Sequence, residues 1–241
     1  MSSLLLPPHM GLVRPKAATG GITVNSITQP SSAYFEDLSA QAVASSFTLA
    51  GRFKPLNIST RKFLLGNYTN IYLRIENSGA ITWKCEDEFG TAFITGATSA
   101  LISGGNWYNY LLHFNNDGSS ELWLDGVSVK TNTGTTANDL NVGTIDLFHR
   151  AGGVQAMEAD HDFVWCNWGD SVTMSSLYDA LFTGEDASAN TDIHGDLANE
   201  TGIFDGITGG FYLRGTVANW NAVGTTPSPV GTVTTKTGTF T

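Results

Sequence analysis

Trp107-Tyr-Asn-Tyr-Leu-Leu-His-Phe-Asn-Asn-Asp-Gly-Ser-Ser-Glu-Leu-Trp-Leu-Asp-Gly-Val-Ser-Val129 decides how this chain is read. Tyr108, Tyr110, Leu112 and Phe114 fall on one face of a first alternating run. Leu122 and Leu124 fall on one face of a second, with Glu121, Trp123 and Asp125 on the other. Period-2 alternation of this kind is the pattern of a strand with one buried face. Asn115-Asn-Asp-Gly118 supplies residues that accept positive φ at a hairpin, and Asp125-Gly126 supplies a tighter turn. Three strands in a meander follow, the material of an antiparallel sheet packed on another sheet.

Working outward, Phe47-Thr-Leu-Ala-Gly-Arg-Phe-Lys-Pro55, Phe63-Leu-Leu-Gly-Asn67, Ile71-Tyr-Leu-Arg-Ile75 and Ala80-Ile-Thr-Trp-Lys-Cys85 read as earlier strands. Leu140-Asn-Val-Gly143 and Asp162-Phe-Val-Trp-Cys166 read as later ones. Met174, Leu177, Tyr178 and Leu181 make an apolar stripe at helical spacing within Ser171–Phe182, after a Ser or Thr cap. A second short helix is expected in pieces over 187–197. In order and spacing this series resembles the concanavalin A-like or laminin G-like jelly rolls, in which a Trp-led strand precedes a Leu-Tyr-Val-Asp-Gly strand and turn. The resemblance runs over residues 33–184. It implies an all-β, antiparallel jelly-roll β-sandwich over 34–184, with an extended N-terminal arm at 1–33 and a β-rich C-terminal extension at 185–241.

Composition narrows the function classes. The chain has 241 residues, of which 14% are charged, with 27 glycines and a net charge of −10. Such a surface lacks the cations that bind phosphate backbones, so no nucleic-acid partner is expected. There is no 18-residue apolar run, and Leu4–Leu6 stop at Pro7-Pro8, so neither membrane insertion nor a signal peptide is expected. Cys85 and Cys166 stand beside Trp83 and Trp165 on strands and read as buried thiols. Pairing would need facing Cβ atoms, which sequence does not reveal.

Three kinds of chemistry are worth weighing. Glu158-Ala-Asp160-His161-Asp162 alternates acids as glycan hydrolases of this fold do, but the third acid is one residue early and is Asp, so catalysis is not expected. Laminin G-like domains often hold one Ca2+ at the rim, and the resemblance implies Asp160, Asp162 and the loop 152–158 as its oxygen donors. Glycan sites stack sugar on exposed aromatics. Trp123, on the face opposite Leu122 and Leu124, and Trp168, beside Asn167, are the candidates, with Asp160 for hydroxyls; Trp220 is a further loop tryptophan. Packing is the expected role of Trp83, Trp107 and Trp165. His161, flanked by acids, reads as an ordinary loop histidine.

The Pro-containing arm, the low charge and the tail Val230-Gly-Thr-Val-Thr-Thr-Lys-Thr-Gly-Thr-Phe240 resemble tailed-phage virion components. That resemblance implies a non-enzymatic virion structural or decoration protein, built in a host cytoplasm. Its arm and tail would bind other virion proteins or copies of itself, and its jelly roll would adhere to cell-surface glycans. The alternative is a free carbohydrate-binding module or lectin in the extracellular space, with a glycan hydrolase behind both. The tail itself has two open placements, as an edge strand of the sandwich or as a strand paired with another subunit.

Overall fold

The computed structural model describes residues 22–29, 34–39, 43–66, 70–134, 138–148, 155–168, 173–178, 181–182, 195–196, 210–214, 228–230 and 234–240. In chain order the strands are β1 (Ile22–Gln29), β2 (Tyr34–Ser39), β3 (Val43–Ala44), β4 (Ser46–Pro55), β5 (Lys62–Gly66), β6 (Ile71–Ile75), β7 (Ala80–Glu86), β8 (Ala92–Ala100) and β9 (Tyr108–Asn115). They continue with β10 (Ser120–Leu124), β11 (Val127–Asn132), β12 (Leu140–Asn141), β13 (Thr144–Leu147) and β14 (Ala159–Trp168). After the helix α1 (Met174–Tyr178) come β15 (Gly195–Asp196), β16 (Gly210–Arg214), β17 (Ser228–Val230) and β18 (Thr234–Phe240).

Two large antiparallel sheets carry most of these strands, and β3 and β12 pair with each other as a small third. One runs β11-β10-β9-β4-β14-β1-β18, with β16 also on β14 and β15 on β16; the other runs β17-β2-β13-β5-β6-β7-β8. This is the jelly-roll sandwich expected from the sequence. The Trp107–Val129 meander forms β9, β10 and the start of β11; β9 and β10 pair without a break, Leu122 opposite Leu112 and Leu124 opposite Tyr110, while the β10/β11 register slips between Leu122 and Trp123. Its second turn has both central residues at positive φ, Asp125 at 49° and Gly126 at 82°. That geometry matches the twist of the flanking strands and explains the Asp-Gly pair. Tyr108, Tyr110, Leu112, Phe114, Leu122 and Leu124 all enter the core between the sheets, with Phe47, Phe53, Leu73 and Trp83.

Both cysteines lie in that core as free thiols, and burial pushes each well above the usual thiol range. His161 is not on a loop, as the sequence suggested. It lies within β14, is 1% exposed and stacks on Phe148 with ring centroids 3.6 Å apart. Burial pushes it down to about 3.

The N-terminal arm departs from expectation, whereas the C-terminal tail takes one of its two expected placements. Residues 22–29 of the expected arm form a sheet strand, paired on one side with β14 and on the other with β18. Of the tail's two placements the first is realised: Ile22–Thr28 pair residue by residue with Phe240–Thr234. The second helix, expected over 187–197, falls mostly outside the described residues. Gly195 and Asp196, which are described, pair with β16 as strand.

Candidate functional site

The two sheets treat their outer faces differently. On the β9-β4-β14 sheet, Ala50, Leu111, Phe163 and Trp165 point away from the core and are covered by Met174, Leu177 and Tyr178 of α1 and by Leu181. Leu177 N–H donates to the Thr173 carbonyl at 2.9 Å, so Thr173 begins the turn as the capping pattern predicted. Trp123 belongs to this second cluster. It is half-buried, with its ring 6.0 Å from that of Tyr178 and Nε1 donating to Glu121 Oε1 at 2.7 Å. Trp168, at the end of β14, is likewise half-buried and packs against the main core. The tryptophans chosen from sequence are therefore packing residues to a large degree, and they belong to different clusters.

Asp160 and Asp162 are placed differently from the sequence reading too. Each is 1% exposed within β14, so neither stands exposed at the rim where a calcium donor was expected. The register on β4 slips between His161 and Phe163, which pair with the consecutive residues Phe53 and Arg52. Asp162 is thus the extra residue of a bulge, and the bulge breaks the alternation that would have set Glu158, Asp160 and Asp162 on one face. Lys54 stands directly opposite Asp160. Among the described residues no group of three or more His, Cys, Asp or Glu side chains is arranged to hold a metal ion. Residues 152–154 of the expected calcium loop, and Trp220, lie outside the described residues.

On the other sheet, the described outward residues of β6, β7 and β8 are exposed or partly exposed, and the strand registers set them in a grid. Tyr72 of β6 lies beside Lys84 of β7, which lies beside Thr95 of β8. Arg74, Thr82 and Ala97 form the next row. Ile71, Leu73 and Ile75 alternate with Tyr72 and Arg74 and bury the opposite side of β6. Thr95 and Ala97 are exposed, and Tyr72, Arg74, Thr82 and Lys84 are partly so. A depression of about 400 Å3 lies over Tyr72, Arg74, Thr82, Thr95 and Ala97 and continues to Gly96, Trp83, Lys130 and Asn132. It reaches the side of the sandwich where edge strands β8 and β11 come together. Gly96 pairs with Trp83, and a Cβ there would collide with the indole ring. Trp83 Nε1 in turn donates to Ser120 Oγ at 3.0 Å, which also accepts from Asn132 Nδ2 at 2.9 Å. Those bonds brace the rim across the two sheets.

Arg74 is the organised group of this face. Its Nε donates to Glu76 Oε1 at 2.8 Å and to Thr82 Oγ1 at 2.9 Å, and its guanidinium carbon sits 4.4 Å from the Tyr72 ring centroid. Glu76 also accepts from Arg61 Nε at 2.8 Å. Partial burial would raise the Glu76 carboxyl, but hydrogen bonds from Arg61 and Thr82 and the Arg74 charge outweigh it and hold it below its usual range. Tyr72, Arg74 and Lys130 were not among the residues chosen from sequence. The available signal was the strict alternation of Ile71-Tyr-Leu-Arg-Ile75, which puts an aromatic and a cation together on the polar face.

Comparison with known proteins agrees with this architecture. A Bacteroides ovatus protein itself proposed to bind carbohydrate superposes with a TM-score of 0.58 at 11% identity, over 92% of this chain and 62% of its own. A heptameric pentraxin from Limulus polyphemus gives 0.52 at 11% identity, over 68% and 84% of the two chains. A leech intramolecular trans-sialidase gives 0.50 at 16% identity, over 69% of this chain and 29% of that one. At these identities the likeness is one of fold. Comparison with curated protein sequences finds no match. A family model described as the concanavalin A-like lectin/glucanases superfamily matches residues 28–162, more than half of the chain, and the chain belongs to that superfamily.

Proposed function

We propose that this protein is a non-enzymatic glycan-binding jelly roll that serves as a decoration component of a virion and binds sugar on the open face around Tyr72 and Arg74. The observation that carries the glycan reading is the make-up of that depression. An aromatic, a small apolar residue and several hydroxyl, amide and cationic donors share one concave surface. A sugar offers apolar C–H faces and many hydroxyls, and such a surface meets both. The Bacteroides ovatus protein of the same fold, proposed to bind carbohydrate, agrees with it. The non-enzymatic part is supported by Asp160 and Asp162, whose burial within β14 keeps them from acting as an acid pair on a cleft. A glycan array tests the binding. Signal that is lost in Tyr72→Ala while the far-ultraviolet spectrum is retained is the expected result; signal unchanged in that variant sinks the site.

The virion part rests on the character of the arm and tail. Mass measurement of the intact source particle tests it, the expected result being this chain present in many copies. One observation favours a free binding module instead: β1 and β18, from the two ends, pair with each other within one chain. A monomer in solution, missing from any particle, would select that second reading.

A further inference from the structure

We infer that the depression selects an acidic glycan, its anionic substituent held between Arg74 and Lys130; this rests on the glycan-binding reading above. The chain carries a net charge of −10, yet the residues lining this depression include two cations and no carboxylate. The charge reversal is local and sits where the surface is concave, which raises the local concentration of anions.

Arg74 is built for this. Its Nε is occupied by Glu76 and Thr82, and its guanidinium rests on Tyr72, so the plane and direction of the group are set. Its two Nη atoms make no hydrogen bond to any described residue. Nη atoms held in this way offer parallel donors to a carboxylate or sulfate, and little ordering entropy remains to be lost on binding. Glu76 does not cancel the positive charge, because Arg61 shares it. Lys130, on edge strand β11, pairs with Leu122 through its backbone and is exposed, and no ion pair or side-chain hydrogen bond engages its ammonium among the described residues. Its flexible ammonium supplies charge where Arg74 supplies direction.

The test is calorimetry of the full chain with four oligosaccharides of equal length: one ending in a glucuronate, its methyl ester, a sulfated form and a neutral form. The expected result is that the glucuronate or the sulfated sugar binds roughly tenfold or more tighter than the ester and neutral forms, a preference that weakens with salt. The anion giving the larger preference identifies the substituent. Lys130→Ala should reduce that preference by roughly threefold, and Arg74→Gln should remove most of it, roughly tenfold. Because Arg74→Gln disturbs Glu76, Lys130→Glu serves as the second variant; it alters an exposed edge residue and should abolish the preference without loss of fold. Equal binding of acid, ester and neutral sugars, all lost in Tyr72→Ala, would overturn the inference and leave the glycan reading intact. Absence of binding by all four sugars would overturn both.

Discussion

The outer faces of the two sheets come from the same alternating pattern and end in opposite states. On one, Phe163 and Trp165 project outward only to meet Met174, Leu177 and Tyr178, so the face becomes a second core. On the other, Tyr72 and Arg74 project outward beside the hydroxyls of Thr82 and Thr95 and the small side chain of Ala97, and these described residues stay exposed or partly exposed. A strand's polar-looking side is thus a candidate surface only until the rest of the chain folds over it. Trp123 illustrates the point, since the helix turns a residue that looks available into one packed beside Tyr178.

Substitutions on the covered face should cost stability and leave sugar affinity alone, and those on the open face should do the reverse. The largest effect is expected from Trp165→Ala, which empties a fully buried site and should destabilise by about 3–5 kcal/mol in urea unfolding. Acid comes next. His161 has a folded pKa of about 3 against an ordinary 6.5, so the unfolded chain binds the extra proton. Its contribution is intact above about pH 6.5 and is lost as pH falls toward 3, on the order of 3 kcal/mol by pH 4. His161→Phe should therefore move the acid-unfolding midpoint to lower pH, and an unchanged midpoint would remove His161 from the account. Gly96 lies in β8 with its missing side chain aimed inward, so Gly96→Ala should cost about 1–3 kcal/mol by driving a methyl into the Trp83 ring of the core.

The smallest stability change, and the sharpest contrast, comes from a matched pair. Trp123→Ala should lose about 2 kcal/mol with sugar affinity unchanged. Tyr72→Ala should lose under about 1 kcal/mol with sugar affinity removed. If Trp123→Ala removed binding while Tyr72→Ala did not, the assignment of the two faces would be reversed.

Much of the scaffold was legible in the residues. The inward sides of β6, β7, β9 and β10, the Asp125-Gly126 turn and the Met174–Leu181 stripe all follow from period and turn chemistry that act over a few residues. The site was less so. Asp160 and Asp162 alternate in sequence, but a bulge at Asp162 changes the phase of the strand, and no local signal announces it. The arm resembled a loose end because Pro and small polar residues build little core, yet residues 22–29 gain their stability from strands on both sides.

What the sequence by itself determined was the sandwich: alternation decides which side of each strand must leave water, and Gly, Asn and Asp decide where the chain can turn. Only the tertiary structure decided which of the remaining sides stays in contact with solvent. That depends on where α1 docks, on a bulge in β14, and on Arg74, Thr82, Gly96 and Lys130 meeting across strands far apart in the chain. Pairings of that kind are set by the packing of the whole molecule, and no short stretch of residues encodes them.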